Sequence, residues 1–155
     1  MKTYKYLLFI SILFLVGCGQ NLFIKNSIIH TMKTECRDKS ECTISMKKIT
    51  HFEWDKVLMF QMGATSKQIS ETLGFKYDRD PDVMEIITIF LNKGKIVYQE
   101  IENGYTETRR ELEIIYPDNF NHMVFTPKTA IFNGEKFIED RKVYYEITPV
   151  FTPEE

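Results

Sequence analysis

Three alternating aspartates give this 155-residue chain its most evident candidate for metal chemistry. Asp78, Asp80 and Asp82 have the spacing of the first ligands in a calcium-binding loop. Such a loop needs glycine next and a bidentate glutamate later, but Val83 and Ile89 occupy those places. We therefore predict a solvated acidic loop and no metal site.

The remaining side chains provide no catalytic set. His30, His51 and His122 are scattered along the sequence, without the spacing of metal ligands. The sequence contains no nucleophile-elbow serine motif, phosphate-binding loop or dinucleotide-binding glycine pattern. We predict a protein that is not an enzyme and that uses no cofactor.

A short apolar segment, Leu7–Val16, follows Lys2 and Lys5 near the start of the chain. A transmembrane helix needs about 20 apolar residues, whereas ten are typical of the apolar region of a signal peptide. Polar residues follow Cys18 at once, so the apolar segment cannot be extended into a membrane span.

The end of this segment, Leu15-Val16-Gly17-Cys18, resembles the lipobox of bacterial lipoprotein signal peptides. The resemblance implies cleavage before Cys18, a diacylglyceryl group on its sulfur and usually a third acyl chain on the new N-terminus. It further implies sorting to the outer membrane, facing the periplasm, if the cell has one, because Gly19 stands where aspartate retains such proteins in the inner membrane. The alternative is an ordinary signal peptide cut elsewhere, with Cys18 incidental.

The chain then divides into three parts. We expect residues 1–17 to be a lipoprotein signal peptide, 18–34 a lipidated tether with an early element, and 35–155 a single compact α+β domain. Removal of the signal peptide leaves 138 residues, enough for one hydrophobic core.

Charge argues against nucleic acid as a partner. The signal peptide contains two lysines and no acidic residue, so 18 basic and 22 acidic residues remain and the net charge is −4. A mildly acidic domain without a basic patch is unsuited to nucleic-acid binding.

Cys36 and Cys42 are the two cysteines that remain once Cys18 carries lipid. Because an exported protein meets an oxidising compartment, we predict a disulfide between them. So small a ring stabilises the fold by about 2 kcal/mol at most, and therefore shapes a local loop. The alternative is a redox pair or half of a metal site, but the spacing is not that of a Cys-x-x-Cys motif.

Trp54 and Asp55 form the one pair that we single out for partner binding. Tryptophan is enriched at interaction hot spots, and a neighbouring acid adds polarity. The alternative is that Trp54 packs in the core with its indole N–H bonded to a backbone carbonyl.

Local patterns predict an α+β fold, a mainly antiparallel sheet with one or two short helices packed on it. Thr65 and Gln68 have capping-box spacing and Gly74 suits a helix C-terminus, so a helix is expected over Ser66–Leu73. Phe23–Ile29 is either an early strand or a short helix. Strands are expected over Phe52–Phe60, Met84–Leu91, Lys95–Ile101, Arg110–Tyr116, Phe120–Phe125 and Lys142–Ile147, an edge-like extended segment over Phe125–Phe132, and turns at Asn92-Lys93-Gly94, Asn103-Gly104 and Asn133-Gly134.

Several of these segments together look like a group of small, largely uncharacterised bacterial lipoproteins. The resemblance covers most of the mature chain and implies kinship without an activity. It is carried by Trp54-Asp55-Lys56-Val57, Thr65-Ser66-Lys67, Leu73-Gly74, the hairpin Ile89–Val97 and the segment Phe125–Phe132.

A partial likeness exists to the small SmpA/OmlA-type lipoprotein of the outer-membrane β-barrel assembly machine. Its counterparts here are Gly63-Ala64-Thr65, Gln68-Ile69, Leu73-Gly74, and Phe90 with Gly94-Lys95-Ile96. Ala64 replaces that family's methionine, and a strand-like segment precedes the motif where the family has a helix.

These features favour a lipid-anchored envelope protein with a non-enzymatic protein-binding role, for example in envelope assembly. The expected partners are the membrane, through Cys18, and a protein of the envelope. The alternative is a periplasmic inhibitor or immunity protein against a secreted toxin or lysozyme, since an acidic domain suits a basic target.

Overall fold

The computed structural model describes residues 22–37, 39, 41–118 and 120–151. The predicted signal peptide and Cys18 lie outside the described residues. The described residues form three helices and eight strands, which confirms the α+β class: α1 Phe23–Thr34, β1 Glu41–Ser45, α2 Met46–Ile49, β2 Lys56–Phe60, α3 Ser66–Leu73, β3 Glu85–Asn92, β4 Lys95–Asn103, β5 Leu112–Ile114, β6 His122–Phe125, β7 Ile131–Glu139 and β8 Lys142–Pro149.

The strands form two four-stranded sheets, where the sequence suggested one. Sheet 1 has the order β1-β7-β8-β5, and sheet 2 has the order β4-β3-β2-β6. Sheet 2 is antiparallel throughout, whereas β5 lies parallel to β8 in sheet 1. The pairing is therefore mainly antiparallel, as predicted.

Helix α1 belongs to the main core. Its apolar side chains Ile24, Ile28, Ile29 and Met32 are buried together with residues from both sheets. The ambiguous segment at Phe23–Ile29 is thus helical, and the packed domain begins at α1 rather than at residue 35.

Helix α3 covers the opposite face of sheet 2 and has the predicted limits. Thr65 accepts a hydrogen bond from the Gln68 backbone, and the Gln68 side chain accepts one from the Thr65 backbone, which completes the capping box. Gly74 ends the helix with φ of 79°, in the left-handed region that glycine favours. Ile69 and Leu73 pack against apolar side chains of sheet 2.

The predicted hairpin of β3 and β4 is confirmed. Its turn is shorter than the three residues expected, because Asn92 belongs to β3 and pairs with Lys95. Lys93 and Gly94 alone form the turn, with φ values of 51° and 72°, and the register shifts between Phe90 and Leu91, as a bulge does. The hairpin supplies two strands of sheet 2.

The predicted turn at Asn133-Gly134 is wrong, because both residues lie within β7. A β-carbon at Gly134 would lie 2.5 Å from Sδ of Met32 and 3.2 Å from Cδ1 of Ile44. Glycine is needed there for close packing, not for a change of chain direction. The turn between β7 and β8 is Asp140-Arg141, where both residues have positive φ.

A buried carboxylate from β4 caps the N-terminus of α1. Leu22 provides no side-chain cap, and the Glu100 carboxylate accepts the backbone N–H groups of Ile24 at 2.7 Å and Lys25 at 3.0 Å. The hydroxyl of Tyr98 donates a third hydrogen bond at 2.9 Å. Glu100 thus satisfies helix donors that would otherwise be left unpaired.

Further charges surround this cap. Burial raises the pKa of Glu100, while its backbone and Tyr98 hydrogen bonds act in the opposite direction and the neighbouring Glu102 raises it again. Lys25 forms an ion pair with Glu102, and Arg110 lines the same small cavity. The N-terminus of α1 is therefore fixed to sheet 2 by polar contacts as well as by apolar packing.

None of the helices in the described ranges has the length and apolar character needed to cross a bilayer.

We predict that Glu100→Gln changes the pH dependence of stability. Because its pKa is raised in the folded state, Glu100 stabilises the fold most below its ordinary pKa of about 4.3 and loses that contribution as the pH rises through the raised value. The free energy of unfolding of the wild type, relative to the variant, should therefore fall as the pH rises from 4 to 7. Urea unfolding at several pH values measures it, and a rise across this range would contradict the assignment.

Candidate binding surface

Cys36 and Cys42 lie at disulfide distance, with Cα atoms 5.6 Å apart, as the sequence predicted. They join the end of α1 to β1. Cys36 is buried, and the sulfur of Cys42 lies 3.7 Å from that of Met32 on α1. The pair therefore fastens a local loop beside the core.

Trp54 lies in the core with only 8% of its surface exposed. Its indole N–H donates to the Thr50 hydroxyl at 2.8 Å, and its ring meets that of Phe90 edge to face, with centroids 5.2 Å apart. The predicted strand around it is shorter than expected, since β2 begins at Lys56.

Asp55 is exposed but contacts the neighbouring hairpin turn. Its carboxylate accepts the Lys93 N–H at 2.6 Å, and its own N–H donates to the Leu91 carbonyl at 2.8 Å. Both members of the candidate pair are thus engaged within the fold. Trp54 packs in the core as the alternative to partner binding held, but its indole N–H donates to a side-chain hydroxyl and not to a backbone carbonyl.

The aspartates of the acidic loop also make internal contacts. Asp82 accepts the Met84 N–H at 2.9 Å, which forms a local turn. Among the described residues, no group of three or more histidine, cysteine or acidic side chains has the geometry to hold a metal ion.

The histidines lie at separate places with different neighbours. His30 and His51 line a groove of about 410 Å³ between α1 and the β1–α2 segment. His51 also contacts the ring of Phe23, with centroids 5.2 Å apart. His122 stacks on Phe60 at the edge of sheet 2.

Four exposed apolar side chains meet where β2 ends, β3 begins and β4 ends. We call Met62, Val83, Met84 and Tyr105, which are between 43% and 64% exposed, the methionine–tyrosine surface. Two backbone hydrogen bonds join its loops, from Gly63 to Val83 at 2.8 Å and from Gly104 to Met84 at 2.6 Å.

Met62 packs directly over Gly104, which connects the surface across the strand ends. A β-carbon at Gly104 would lie 2.6 Å from Cγ and Sδ of Met62 and 2.9 Å from the Met84 carbonyl oxygen. Only glycine allows this approach. The backbone positions of the four residues are therefore adjacent across the strand ends.

The loop that presents Val83 and Met84 is held firmly. Arg79 forms an ion pair with Glu85, with one N–O distance of 2.6 Å, and Glu85 also accepts the Asp82 N–H at 3.0 Å. These contacts lower the pKa of Glu85, mainly through the hydrogen bond from Arg79.

Tyr77 anchors the other end of this loop. Its backbone N–H donates to the Ser70 hydroxyl at 2.9 Å, and its hydroxyl donates to the Gln99 side chain at 3.0 Å. A loop ordered in this way loses little conformational entropy when it binds.

Acidic side chains border the methionine–tyrosine surface. Asp80 and Asp82 precede Val83, and Glu107 follows Tyr105 by two residues; all three acids are exposed. An apolar centre with an acidic border is complementary to a partner with an apolar centre and a basic border.

The sequence signal for this surface is weak. Met62, Val83 and Met84 are apolar residues within polar, turn-rich segments, beside Gly63 and after Pro81. Their proximity depends on the strand register, in which Glu85 faces Asn103.

No protein-family model, curated protein or solved structure matched this chain in the comparisons.

We predict that a substitution at the core tryptophan lowers the free energy of unfolding far more than a substitution at the exposed surface. Trp54→Ala should lower the free energy of unfolding by about 3–5 kcal/mol, because it removes a buried ring. Tyr105→Ser should change it by less than about 0.5 kcal/mol, because that side chain is 63% exposed. Urea unfolding of both variants measures the difference, and equal losses would contradict the two placements.

Proposed function

We propose that this chain is a lipid-anchored envelope protein, attached at Cys18, whose domain binds another protein through the methionine–tyrosine surface and catalyses no reaction. The surface is the observation that carries the binding role. Its exposed side chains are methionine, tyrosine and valine, and methionine and tyrosine are enriched in protein interfaces.

The anchoring part of the proposal rests on the lipobox pattern at Leu15-Val16-Gly17-Cys18. Two or three acyl chains hold a protein stably, because each buried CH₂ group contributes about 0.8 kcal/mol. We place the domain at the outer membrane, facing the periplasm, where the host has two membranes.

The structural role of the buried carboxylate supports a non-enzymatic function. Thr88 and Glu100 are the buried polar side chains of the described residues. Glu100, the only carboxylate of the two, is occupied in capping α1.

A second candidate function is inhibition of, or immunity to, a secreted toxin or lysozyme. It is favoured by the acidic border at Asp80, Asp82 and Glu107, because a basic target would be attracted by these charges. Under this proposal, deletion of the gene should sensitise cells to one effector, and the complex should weaken steeply with added salt.

Cys18→Ala should abolish membrane attachment. Without the thiol no diacylglyceryl group can be added, so the protein should be released into the soluble fraction or stay as the uncleaved precursor. Fractionation and intact-mass measurement of the full chain report both outcomes. Normal membrane retention of the variant, with a mature N-terminus, would contradict the lipid anchor.

Substitutions in the methionine–tyrosine surface should weaken the binding of a specific partner. We expect the double variant Met84→Asp and Tyr105→Ser to weaken binding at least about tenfold, because charge and lost aromatic area act at the centre of the interface. Cross-linking in the native host with Cys18 intact, followed by mass spectrometry, would identify the protein whose capture depends on these residues.

A matched variant provides the control for this experiment. Ile138 and Val143 are exposed apolar neighbours across β7 and β8, 72% and 39% exposed. Ile138→Asp with Val143→Ser should leave the same partner bound. Equal capture by all three proteins would show that binding uses another surface.

A further inference from the structure

The proposed anchor lies very close to the folded domain. Four residue steps separate Cys18 from Leu22, and Phe23 is the first residue of α1. In any conformation four residues span at most about 14 Å. A domain of this size is about 36 Å across, so its far side cannot reach the bilayer that holds Cys18.

The surroundings of Leu22 therefore define which parts of the domain can face the bilayer. The ring of Phe23 contacts His51 and Tyr98, with centroid distances of 5.2 Å and 6.2 Å. Tyr98 in turn contacts Phe52 at 5.2 Å. These contacts place β4, and the segment that follows α2, beside the start of α1.

Four exposed lysines belong to the segments that lead into these aromatic side chains, and we call Lys47, Lys48, Lys93 and Lys95 the lysine face. Lys48 lines the same groove as Phe23 and His51, and Lys47 lines the neighbouring cleft with Phe52. Lys93 and Lys95 belong to the turn and first residue of the hairpin strand that carries Tyr98.

The charges of the lysine face are available for an external partner. Within the described part of the chain, these four lysines form no ion pair, unlike Lys25 and Lys33. Glu53 and Asp55 are acids of the neighbouring segment and Glu35 lines the same groove as Lys48, so four positive charges face three negative ones. The mature chain as a whole carries −4.

Charge also decides which end of β4 faces the bilayer. The start of α1 lies beside the middle of this strand, where Glu100 accepts the Ile24 N–H, and the proposed anchor is a few residues before it. The end at Asn103 leads into the methionine–tyrosine surface with its acidic border, which anionic headgroups repel. The end at Lys95 belongs to the lysine face, which they attract.

We propose that the lysine face lies against the anionic phosphate headgroups of the bilayer that holds Cys18, which leaves the methionine–tyrosine surface open to a protein partner. The inference rests on the lipid anchor of the proposed function. Ile96 and Val97 follow Lys95 in the chain and are 39% and 44% exposed.

Lysine footprinting of the full, acylated chain tests the proposal. The protein is inserted into preformed phosphatidylcholine vesicles with or without about 30 mol% phosphatidylglycerol, the anionic component. A membrane-impermeant acylating reagent labels accessible lysines, and mass spectrometry measures each one. Compared with detergent solution, the four lysines should become at least about threefold less reactive in the anionic vesicles, and 0.5 M salt should restore much of their reactivity.

Lys67 and Lys142, on α3 and at the start of β8, are exposed reference lysines whose reactivity should not change. The variant Lys47→Glu with Lys93→Glu should lose the protection of the remaining Lys48 and Lys95. The matched variant Lys67→Glu with Lys142→Glu should keep it.

The outcomes distinguish this inference from the proposed function. In one outcome, the chain has the intact mass expected for its acyl chains and floats with the vesicles while all lysines react as they do in detergent. In that case the proposed orientation is wrong and the lipid anchor stands. If the chain from its native host carries no acyl mass and does not float, the anchor fails and this inference fails with it. If the four lysines are protected equally in vesicles with and without phosphatidylglycerol, headgroup charge does not determine the orientation.

Discussion

Glu100 is the polar contact on which the arrangement of the first helix depends. Helix α1 is amphipathic, but it begins without a side-chain cap of its own and has no acidic residue in its first turn. A carboxylate located 75 residues later supplies what the local sequence lacks. Because that carboxylate is buried, two backbone donors and the Tyr98 hydroxyl are needed to compensate for its lost hydration.

The position of α1 determines how the two sheets meet. Its buried side chains Ile24 and Ile28 line one small cavity together with Met59 and Thr88 of sheet 2 and Leu112 of sheet 1. Removing the helix would expose the inner faces of both sheets at once. The packing of the main core is therefore tied to the same polar contact that fixes the start of the chain.

The β3–β4 hairpin separates the two surfaces to which we assign roles. Strand β3 has eight residues, so its ends are about 24 Å apart. Asp55 steadies one end by binding the turn, and the ion pair of Arg79 with Glu85 steadies the other. A rigid antiparallel hairpin of this length keeps a basic end and an apolar, acid-bordered end at a constant distance.

Local sequence chemistry predicted the elements whose signals lie within a few residues. The capping box at Thr65 and the turn at Gly94 are of this kind. The type of α1 stayed open because its cap comes from a distant strand. Gly134 was misinterpreted because its reason is a contact with Met32, which no local pattern reveals. The methionine–tyrosine surface depends on strand register for the same reason.

The long separation between α1 and its cap has a consequence for biogenesis. On the proposed export pathway, helix α1 would enter the channel before its docking site on β4, which follows about 75 residues later. A 12-residue helix is marginal by itself, so it cannot be held in place before that strand has been translocated. On the proposed pathway, the enzymes that acylate and cleave at Cys18 would meet an undocked chain. Docking of α1 would then wait until β4 and its Glu100 had been translocated.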